Sequence, residues 1–224
     1  YLRFTNQGIG YIVSGNRGLT AERSAAVNAG VDWRPPIDGW VLSASAFHTR
    51  LNNLINITAG GAPDPDNPVT FSYENVARAY TQGFELNGRF RLPVRATYLD
   101  LAYMLLDARD QTRNRPLEAR SRHRVNAQLS TKYRPFNLEA TVRGSWVSGR
   151  PYYLGTAGGM VNVIGLEERE VWAPSYFDLE AQVTYKLRGG FDVFVNGYNL
   201  LNAGDQQFNP RPPRGVLGGV QWEY

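Results

Sequence analysis

Residues 177 to 187 read FDLEAQVTYKL, in which apolar and polar side chains alternate without a break. Successive side chains of a β-strand point to opposite faces, so one face of this strand is apolar and the other polar. A wall between lipid and a wet interior needs two such faces, and about 9–11 tilted residues cross a bilayer as a strand. The stretch therefore predicts a membrane-spanning strand, although a single one would also suit a soluble sheet. Its expected lipid face consists of Phe177, Leu179, Ala181, Val183, Tyr185 and Leu187.

The same alternation recurs along the chain and predicts about nine strands. Their connections alternate between short Pro- or Gly-containing turns and long polar loops, which is typical of an antiparallel transmembrane β-barrel and not of a soluble sandwich. Nine is an odd count, so either residues 2–12 supply a tenth strand or earlier strands precede these. The expected strands cover about residues 25–34, 40–57, 73–90, 97–105, 122–133, 136–146, 177–187, 191–200 and 216–224.

Aromatic residues at the strand ends suit the girdles found where a membrane meets water. They are Trp33, Tyr133, Trp146, Tyr185 and Trp222.

The composition of the 224 residues is compatible with this all-β class. A content of 42% hydrophobic residues would also fit a soluble protein, because half of each barrel strand is polar. No cysteine is present, which excludes disulfides and thiolate chemistry. The net charge of +4 comes from scattered arginines and not from one basic stripe, so nucleic-acid binding is not expected. The chain starts at Tyr1 without a visible leader, and we expect it to be a piece of a longer protein.

Four stretches resemble the C-terminal part of a TonB-dependent outer-membrane receptor. GNRGLTAE (residues 15–22) is similar to the family's GNPxLxPE segment, although it lacks the usual prolines. AFHTRLNNLI (46–55) resembles the family's yFrndIdnLI strand end, and NVARAYTQGFEL (75–86), which resembles the family's NvgkarsqGvEle segment, is the most specific match. NLLN (199–202), followed by Arg214-Gly215 and a terminal strand, resembles the family's ending.

This resemblance implies a 22-stranded barrel with an N-terminal plug, of which residues 1–224 would form about the last nine strands, as the C-terminal portion of one barrel domain without the plug. It implies a receptor in the cell outer membrane that takes up a scarce nutrient, of the siderophore, cobalamin, glycan or peptide class, with energy from the TonB complex. Implied partners are that complex, through the missing N-terminal region, membrane lipid, lipopolysaccharide, the barrel-assembly machinery and a possible surface lipoprotein. The assembly machinery would read the C-terminal signal formed by Val220, Trp222 and Tyr224.

No catalytic residue, metal site or cofactor is expected. His48 and His123 fall within strand patterns without acidic residues at ligand spacing, so each is expected to be a wall residue. No Gly-x-Ser-x-Gly motif is present, which argues against an outer-membrane hydrolase. Asp64 and Asp66 could supply oxygen ligands to a hard cation, but a turn-rich loop is the better interpretation.

Two groups of residues are candidates for binding. Polar residues on the wall strands should face the lumen, where they would contact the plug or line a substrate path, or else form ion pairs within a solvated interior: Glu85, Arg89, Arg122, Arg124, Glu139, Arg143, Asp178 and Glu180. Aromatic and basic residues of the long loops could line an extracellular ligand pocket, because loops often carry binding residues: Tyr152, Tyr153, Trp172, Phe208 and Arg211.

One alternative from a different class stays open. A small, self-contained outer-membrane barrel acting as a passive pore, an adhesin or an assembly subunit would have the same strands but an even strand count and no plug.

Overall fold

The computed structural model describes residues 4–6, 11–60, 69–155, 168–204 and 207–222. Within them the chain forms strands and one short 3-10 helix, Arg134–Phe136. Among the described residues, no helix has the length and hydropathy needed to cross a membrane. The strands are β1 Phe4–Asn6, β2 Tyr11–Ser14, β3 Arg23–Trp33, β4 Trp40–Gly60, β5 Val69–Arg91, β6 Thr97–Asp110, β7 Arg115–Pro116, β8 His123–Tyr133, β9 Leu138–Val147, β10 Arg150–Gly155, β11 Glu168–Ala173, β12 Tyr176–Lys186, β13 Phe191–Tyr198 and β14 Gly215–Trp222.

Nine of these strands form one continuous antiparallel wall in the order β3-β4-β5-β6-β8-β9-β12-β13-β14. They correspond to the nine strands predicted from the alternation, and the all-β antiparallel class is confirmed. Short turns connect them at one end of the wall and longer segments at the other, as predicted. Its two outer strands, β3 and β14, are not paired with each other, so the described wall is an open sheet.

The long-loop end contains more regular structure than the sequence predicted. β4 and β5 have 21 and 23 residues, far more than a crossing needs, so they continue beyond the membrane. β10 and β11 form a separate hairpin within the segment expected to be a loop, and β7 pairs with the end of β6. The alternation of apolar and polar residues did not predict these pairings, because strands above the membrane do not need a lipid-facing side.

The part of residues 2–12 that the structure describes, 4–6 and 11–12, does not form a tenth wall strand. β1 and β2 instead form a short hairpin, and β2 pairs in parallel with the first four residues of β5, beyond the wall.

At the other end of the wall, residues with a positive φ form the short turns. Gly39 has a φ of +74°, and a Cβ added there would lie 2.5 Å from the Cβ of Arg91, so glycine is required on both grounds. Asn137, at +52°, ends the 3-10 helix between β8 and β9.

The register of the wall separates an outer face from a polar face. We call the residues that stand opposite one another across neighbouring strands a rung. On the outer face, one rung contains Leu99, Leu129 and Val142, and the residues flanking Val142 lie on the polar face. Many outer-face side chains are exposed, as expected of a surface that contacts lipid: Val27, Val31, Phe84, Leu86, Leu101, Val125, Leu129, Val142, Phe177, Val183, Val193, Val195 and Val220.

Most of the aromatic strand-end residues gather at the short-turn end. Trp33, Tyr133, Tyr185 and Trp222 are between 43% and 58% exposed, and the Trp222 indole donates a 3.2 Å hydrogen bond to the carbonyl of Gly189. Trp146 lies at the opposite end of its strand. An aromatic belt with a bonded polar tip is typical of a membrane interface.

The wall itself buries almost nothing within the described residues. The hydrophobic residues that are buried lie at the long-loop end, and all but one of the buried polar residues do so as well. Side-chain packing is thus concentrated above the membrane, and this is where a binding site can be built. The buried residues at that end include Ala79, Ala108, Val147, Pro151, Tyr153, Ala173, Asp110, Ser121, Asp178, Asn199 and Asn209.

Candidate binding site at the long-loop end

Seven of the eight predicted lumen residues share the polar face of the wall, and the eighth, Arg122, immediately precedes β8. The strand positions of the seven and the registers of adjacent strands give them the same facing. Whether this face lines the lumen stays a prediction. The eight residues are Glu85, Arg89, Arg122, Arg124, Glu139, Arg143, Asp178 and Glu180.

One rung of this face carries a ladder of polar contacts across several strands. Arg89 binds Asp100 through two hydrogen bonds, of 2.6 and 3.2 Å. Arg143 donates bonds of 3.1 and 2.8 Å to the Gln128 side chain and lies 3.8 Å from Glu180. All of these groups are at least partly exposed, so each pair contributes at most about 1 kcal/mol.

A second polar network lies near the short turns. Glu139 forms ion pairs with Lys132 at 3.0 Å and with Lys186 at 3.7 Å, and Lys186 also lies 3.5 Å from Asp192. For Glu139 the structure therefore supports the second of the two interpretations, in which the polar residues form ion pairs with one another.

At the long-loop end, Arg150 joins two segments that are far apart in sequence. Its guanidinium donates a 3.0 Å hydrogen bond to the carbonyl of Phe208, binds the side-chain oxygen of Asn209, and donates to the Tyr152 hydroxyl at 3.1 Å. The rings of Tyr152 and Phe208 lie 4.8 Å apart. The β10–β11 hairpin and the β13–β14 loop are thereby held against each other.

An ion pair with a buried carboxylate holds the same loop on the polar face. Arg211 lies 2.6 Å from one oxygen of Asp178, whose side chain is only 7% exposed. The other oxygen of Asp178 is buried and has no hydrogen-bond partner among the described residues. The guanidinium of Arg211 also lies 5.3 Å from the Tyr176 ring, which Arg150 approaches at 5.9 Å. We call these residues the mouth cluster: Arg150, Tyr152, Tyr176, Asp178, Phe208, Asn209 and Arg211.

The β13–β14 loop is also fastened at its base. Asn199, a buried residue with a φ of +46°, donates from its amide to the carbonyls of Ala203 and Pro212 at 3.0 and 2.8 Å, and accepts from the Ala203 N–H at 2.7 Å. The Arg214 N–H donates to the Asn202 side chain at 3.2 Å. Both ends of the loop are thus bound to the two asparagines of the NLLN stretch.

Comparison with known proteins identifies the architecture. Residues 1–200 match the family described as "TonB dependent receptor-like, beta-barrel". The chain belongs to the TonB-dependent receptor family. This confirms the resemblance found in the sequence, and, since its relatives are outer-membrane receptors and transporters, the described wall is part of an outer-membrane barrel.

Individual relatives agree on the fold. The chain is 27% identical over 186 residues to a probable TonB-dependent receptor, BfrD of Bordetella pertussis, covering 82% of this chain and 24% of that protein. Among solved structures, the siderophore receptor PirA from Acinetobacter baumannii has a TM-score of 0.71 at 15% identity, with 95% of this chain and 33% of PirA covered. The FrpB iron transporter from Neisseria meningitidis has a TM-score of 0.68 at 19% identity, with 95% and 33% covered. The chain thus spans about a quarter to a third of these proteins.

Three of the sequence stretches that resemble TonB-dependent receptors meet at one point. The Asn75 amide donates to the carbonyls of Thr20 and Asn53 at 2.9 and 2.8 Å, and its oxygen accepts from the Thr20 N–H at 2.7 Å. Glu22 accepts a 2.7 Å bond from the Ile55 N–H. Asn53, at a φ of +58°, lies in the bulge where β4 leaves its regular register with β5. These motif residues therefore fasten the segment before β3 to the bulge of β4.

The structure divides the five predicted loop residues of this receptor into three groups. Tyr152, Phe208 and Arg211 meet in the mouth cluster. Tyr153 is buried under the Arg115 guanidinium at 3.7 Å, with its hydroxyl bonded to the Pro116 carbonyl, so it packs the loops together and is not open to a ligand. Trp172 is 57% exposed, and its indole donates to Glu170.

Sequence reasoning missed Arg150, Tyr176 and Asn209. The contacts of Arg150 with Phe208 and Asn209 join residues 58 or more positions apart, and the remaining contacts depend on the turn geometry of the loop. Neither kind of contact leaves a periodic signal in the sequence. An available signal for Arg150 was its position between Gly149 and Pro151, at the start of an aromatic stretch.

The two histidines have side-chain neighbours typical of wall residues. His48 Nδ1 lies 3.2 Å from the Gln82 side-chain oxygen, and His123 Nδ1 lies 2.9 Å from the Tyr103 hydroxyl. No group of three or more potential metal ligands occurs in the described part of the chain. Asp64, Asp66 and Tyr224 lie outside the described residues. Val220 and Trp222 lie on β14, and their role in assembly stays a prediction.

Proposed function

We propose that this chain forms part of the wall, mouth and loops of an outer-membrane receptor that captures a scarce nutrient and imports it with energy transmitted by TonB. The observation that carries the proposal is the mouth cluster, built on the polar face of a wall that belongs to the TonB-dependent receptor family. No covalent chemistry is required of it. The chain spans about a quarter of its curated relative, so the plug and the TonB-contacting segment belong to this proposal as partners supplied by the rest of the protein.

The charges near the mouth favour an anionic cargo. Arg124 lies on the polar face and Arg122 immediately precedes β8; both are exposed and have no side-chain partner among the described residues. Arg150 contributes a further positive charge beside the rings of Tyr152 and Tyr176, whereas the charge of Arg211 is balanced by Asp178.

Arginine binds carboxylates and other anionic oxygens well, and aromatic rings supply flat contact area. A metal ion held in an anionic chelate would offer a partner for both kinds of contact. FrpB and PirA are described as an iron transporter and a siderophore receptor, which favours this choice among the nutrient classes.

Uptake in whole cells tests the transport mechanism. Cells that carry the full receptor should accumulate ⁵⁵Fe from their own secreted chelates under iron limitation, and deletion of TonB should abolish this accumulation. Receptor-dependent accumulation at a normal rate without TonB would contradict energised uptake and favour a passive pore.

A substitution pair tests the cargo class. Replacing Arg122 and Arg124 by glutamine should weaken uptake of anionic chelates about tenfold or more, because two charge-assisted contacts are lost. The matched control replaces Arg95 and Arg188, exposed arginines at the short-turn end, and should leave uptake unchanged. Equal uptake by both variants would refute the proposed role of the mouth charges.

A further inference from the structure

A cavity of about 300 Å³ lies at the long-loop end, apart from the mouth cluster. Its base includes Ala79 of β5 and Asp110 of β6, which stand directly opposite each other on the polar face of the wall. Its sides are formed by the segment between β6 and β8 and by Tyr153 of β10. Tyr152, the preceding residue of β10, contacts Phe208 in the mouth cluster instead. Since successive side chains of a strand point to opposite faces, β10 separates the cavity from the mouth cluster.

Backbone hydrogen bonds fasten the segment between β6 and β8 around this cavity. The N–H of Leu117 donates to the carbonyl of Ala108 at 2.9 Å. The N–H of Ala119 donates at the same distance to the carbonyl of Pro151 on β10. β7, within the segment, also pairs with the end of β6. The cavity is therefore formed before a ligand arrives, and binding does not have to order a loop.

Positive charge exceeds negative charge on the lining of the cavity, which contains three arginines and two acidic residues: Arg113, Arg115, Arg120, Asp110 and Glu118. Asp110 and Arg113 neutralise each other, because their charged groups lie 3.7 Å apart and one Asp110 oxygen also accepts from the Arg113 N–H at 3.1 Å. The Arg120 side chain is exposed and has no partner among the described residues. Its guanidinium can therefore bind an anionic group without breaking an existing contact.

The apolar part of the lining limits the kind of anion that fits. It consists of Leu54, Ile55, Ala79, Pro116 and Leu117. At the ~30 Å³ that a water molecule occupies in the liquid, the cavity holds about ten heavy atoms. An inorganic anion would leave the apolar side chains in contact with water, whereas an organic anion would cover them with its hydrocarbon body.

We propose that this cavity is a second binding site, which takes a small organic monoanion: a carboxylate on an apolar body, with about ten heavy atoms in all. The Arg120 guanidinium binds the carboxylate through charge-assisted hydrogen bonds, and the apolar lining contacts the body of the ligand. The site is separate from the mouth cluster and depends neither on the nature of the cargo nor on TonB.

Saturation-transfer NMR on the intact receptor in detergent tests the proposal, with empty micelles as the background. The probes are benzoate and benzamide, which have nearly the same shape but differ in charge. The unmodified receptor should bind benzoate about tenfold or more tightly than benzamide. Arg120→Gln should lose this preference, whereas Arg120→Lys, which keeps the charge, should retain part of it.

Two further measurements place the bound benzoate in the cavity. Ile55→Trp adds a larger side chain at a partly exposed position of the lining and should abolish benzoate binding. Saturating benzoate should also slow hydrogen exchange at the Ala119 N–H several-fold, because that group lies next to Arg120 and is bonded to β10.

The matched control is Arg188→Gln, which removes the same charge from an exposed position at the short-turn end and should bind benzoate as the unmodified receptor does. Heat-modifiable migration on gels verifies that each variant is folded. The proposal would be overturned by equal affinity for the two probes, by unchanged benzoate binding in Arg120→Gln or in Ile55→Trp, by an equal loss in the control, or by unchanged exchange at Ala119. Benzoate binding needs neither cargo nor TonB, so a receptor that binds benzoate but shows no TonB-dependent uptake would refute only the proposed function.

Discussion

Replacement of Arg211 by glutamine should release the β13–β14 loop from the wall, and replacement of its partner should not. The prediction follows from the unequal burial of the pair. The Asp178 side chain is 7% exposed, whereas that of Arg211 is 30% exposed. One Asp178 oxygen is already without a partner among the described residues, so the carboxylate depends on a single ion pair.

The expected magnitudes follow from what each substitution leaves behind. Arg211→Gln leaves a buried carboxylate without its counter-charge, which costs about 2–4 kcal/mol of the free energy that holds the loop closed. Asp178→Asn leaves a guanidinium that water can reach and an amide that can still accept a hydrogen bond, so it should cost only about 1 kcal/mol. The double variant should resemble Asp178→Asn, since no buried charge remains.

Hydrogen exchange of the loop amides in the purified receptor measures this difference. The N–H groups of Ala203 and Arg214 are suitable probes, because both are bonded to asparagine side chains at the base of the loop. Their exchange should accelerate roughly 30- to 700-fold in Arg211→Gln, as each 1.4 kcal/mol changes the opening equilibrium tenfold. If Arg211→Gln opened the loop no more than Asp178→Asn, the proposed burial of the carboxylate would be wrong.

Three further predictions test the wall, two of them with a matched comparison variant. Asn75→Ala should lower the free energy of unfolding in lipid vesicles by about 1–3 kcal/mol, measured with urea, because the side-chain bonds that fasten the segment before β3 to the β4 bulge are lost. Val142→Arg should cost about 2–4 kcal/mol as an outer-face charge near mid-height, whereas Thr141→Arg on the polar face should cost well under 1 kcal/mol; equal costs would contradict the assignment of the faces. Gly39→Ala should destabilise by about 1–3 kcal/mol and exceed Gly189→Ala, since both have a positive φ but only the first meets a neighbouring side chain closer than 3 Å.

The wall was predictable because it obeys a strict local rule. Every membrane-crossing strand must show one face to lipid, so alternation such as that of residues 177–187 survives in each segment and indicates strand positions and face. The approximate ends of β8 and β9 were obtained in this way. Seven of the eight lumen candidates, all except Arg122, were placed on a common face for the same reason.

The mouth cluster was only partly predictable. Aromatic and basic residues in long loops suggested Tyr152, Phe208 and Arg211, which do meet, but also Tyr153, which is buried. Packing above the membrane follows no period, so the sequence alone could not distinguish a buried tyrosine from an exposed one.

The sequence by itself determined the all-β class, the nine wall strands, the two faces and, through its motifs, the receptor family. These features depend on period-two patterning and on short local stretches, and both are legible along the chain. Only the tertiary structure decided that Arg150 and Arg211 hold the β13–β14 loop and that Asn75 joins three motif segments. Those relations arise from strand register and loop closure between residues far apart in sequence, and the free energy of such contacts leaves no local pattern.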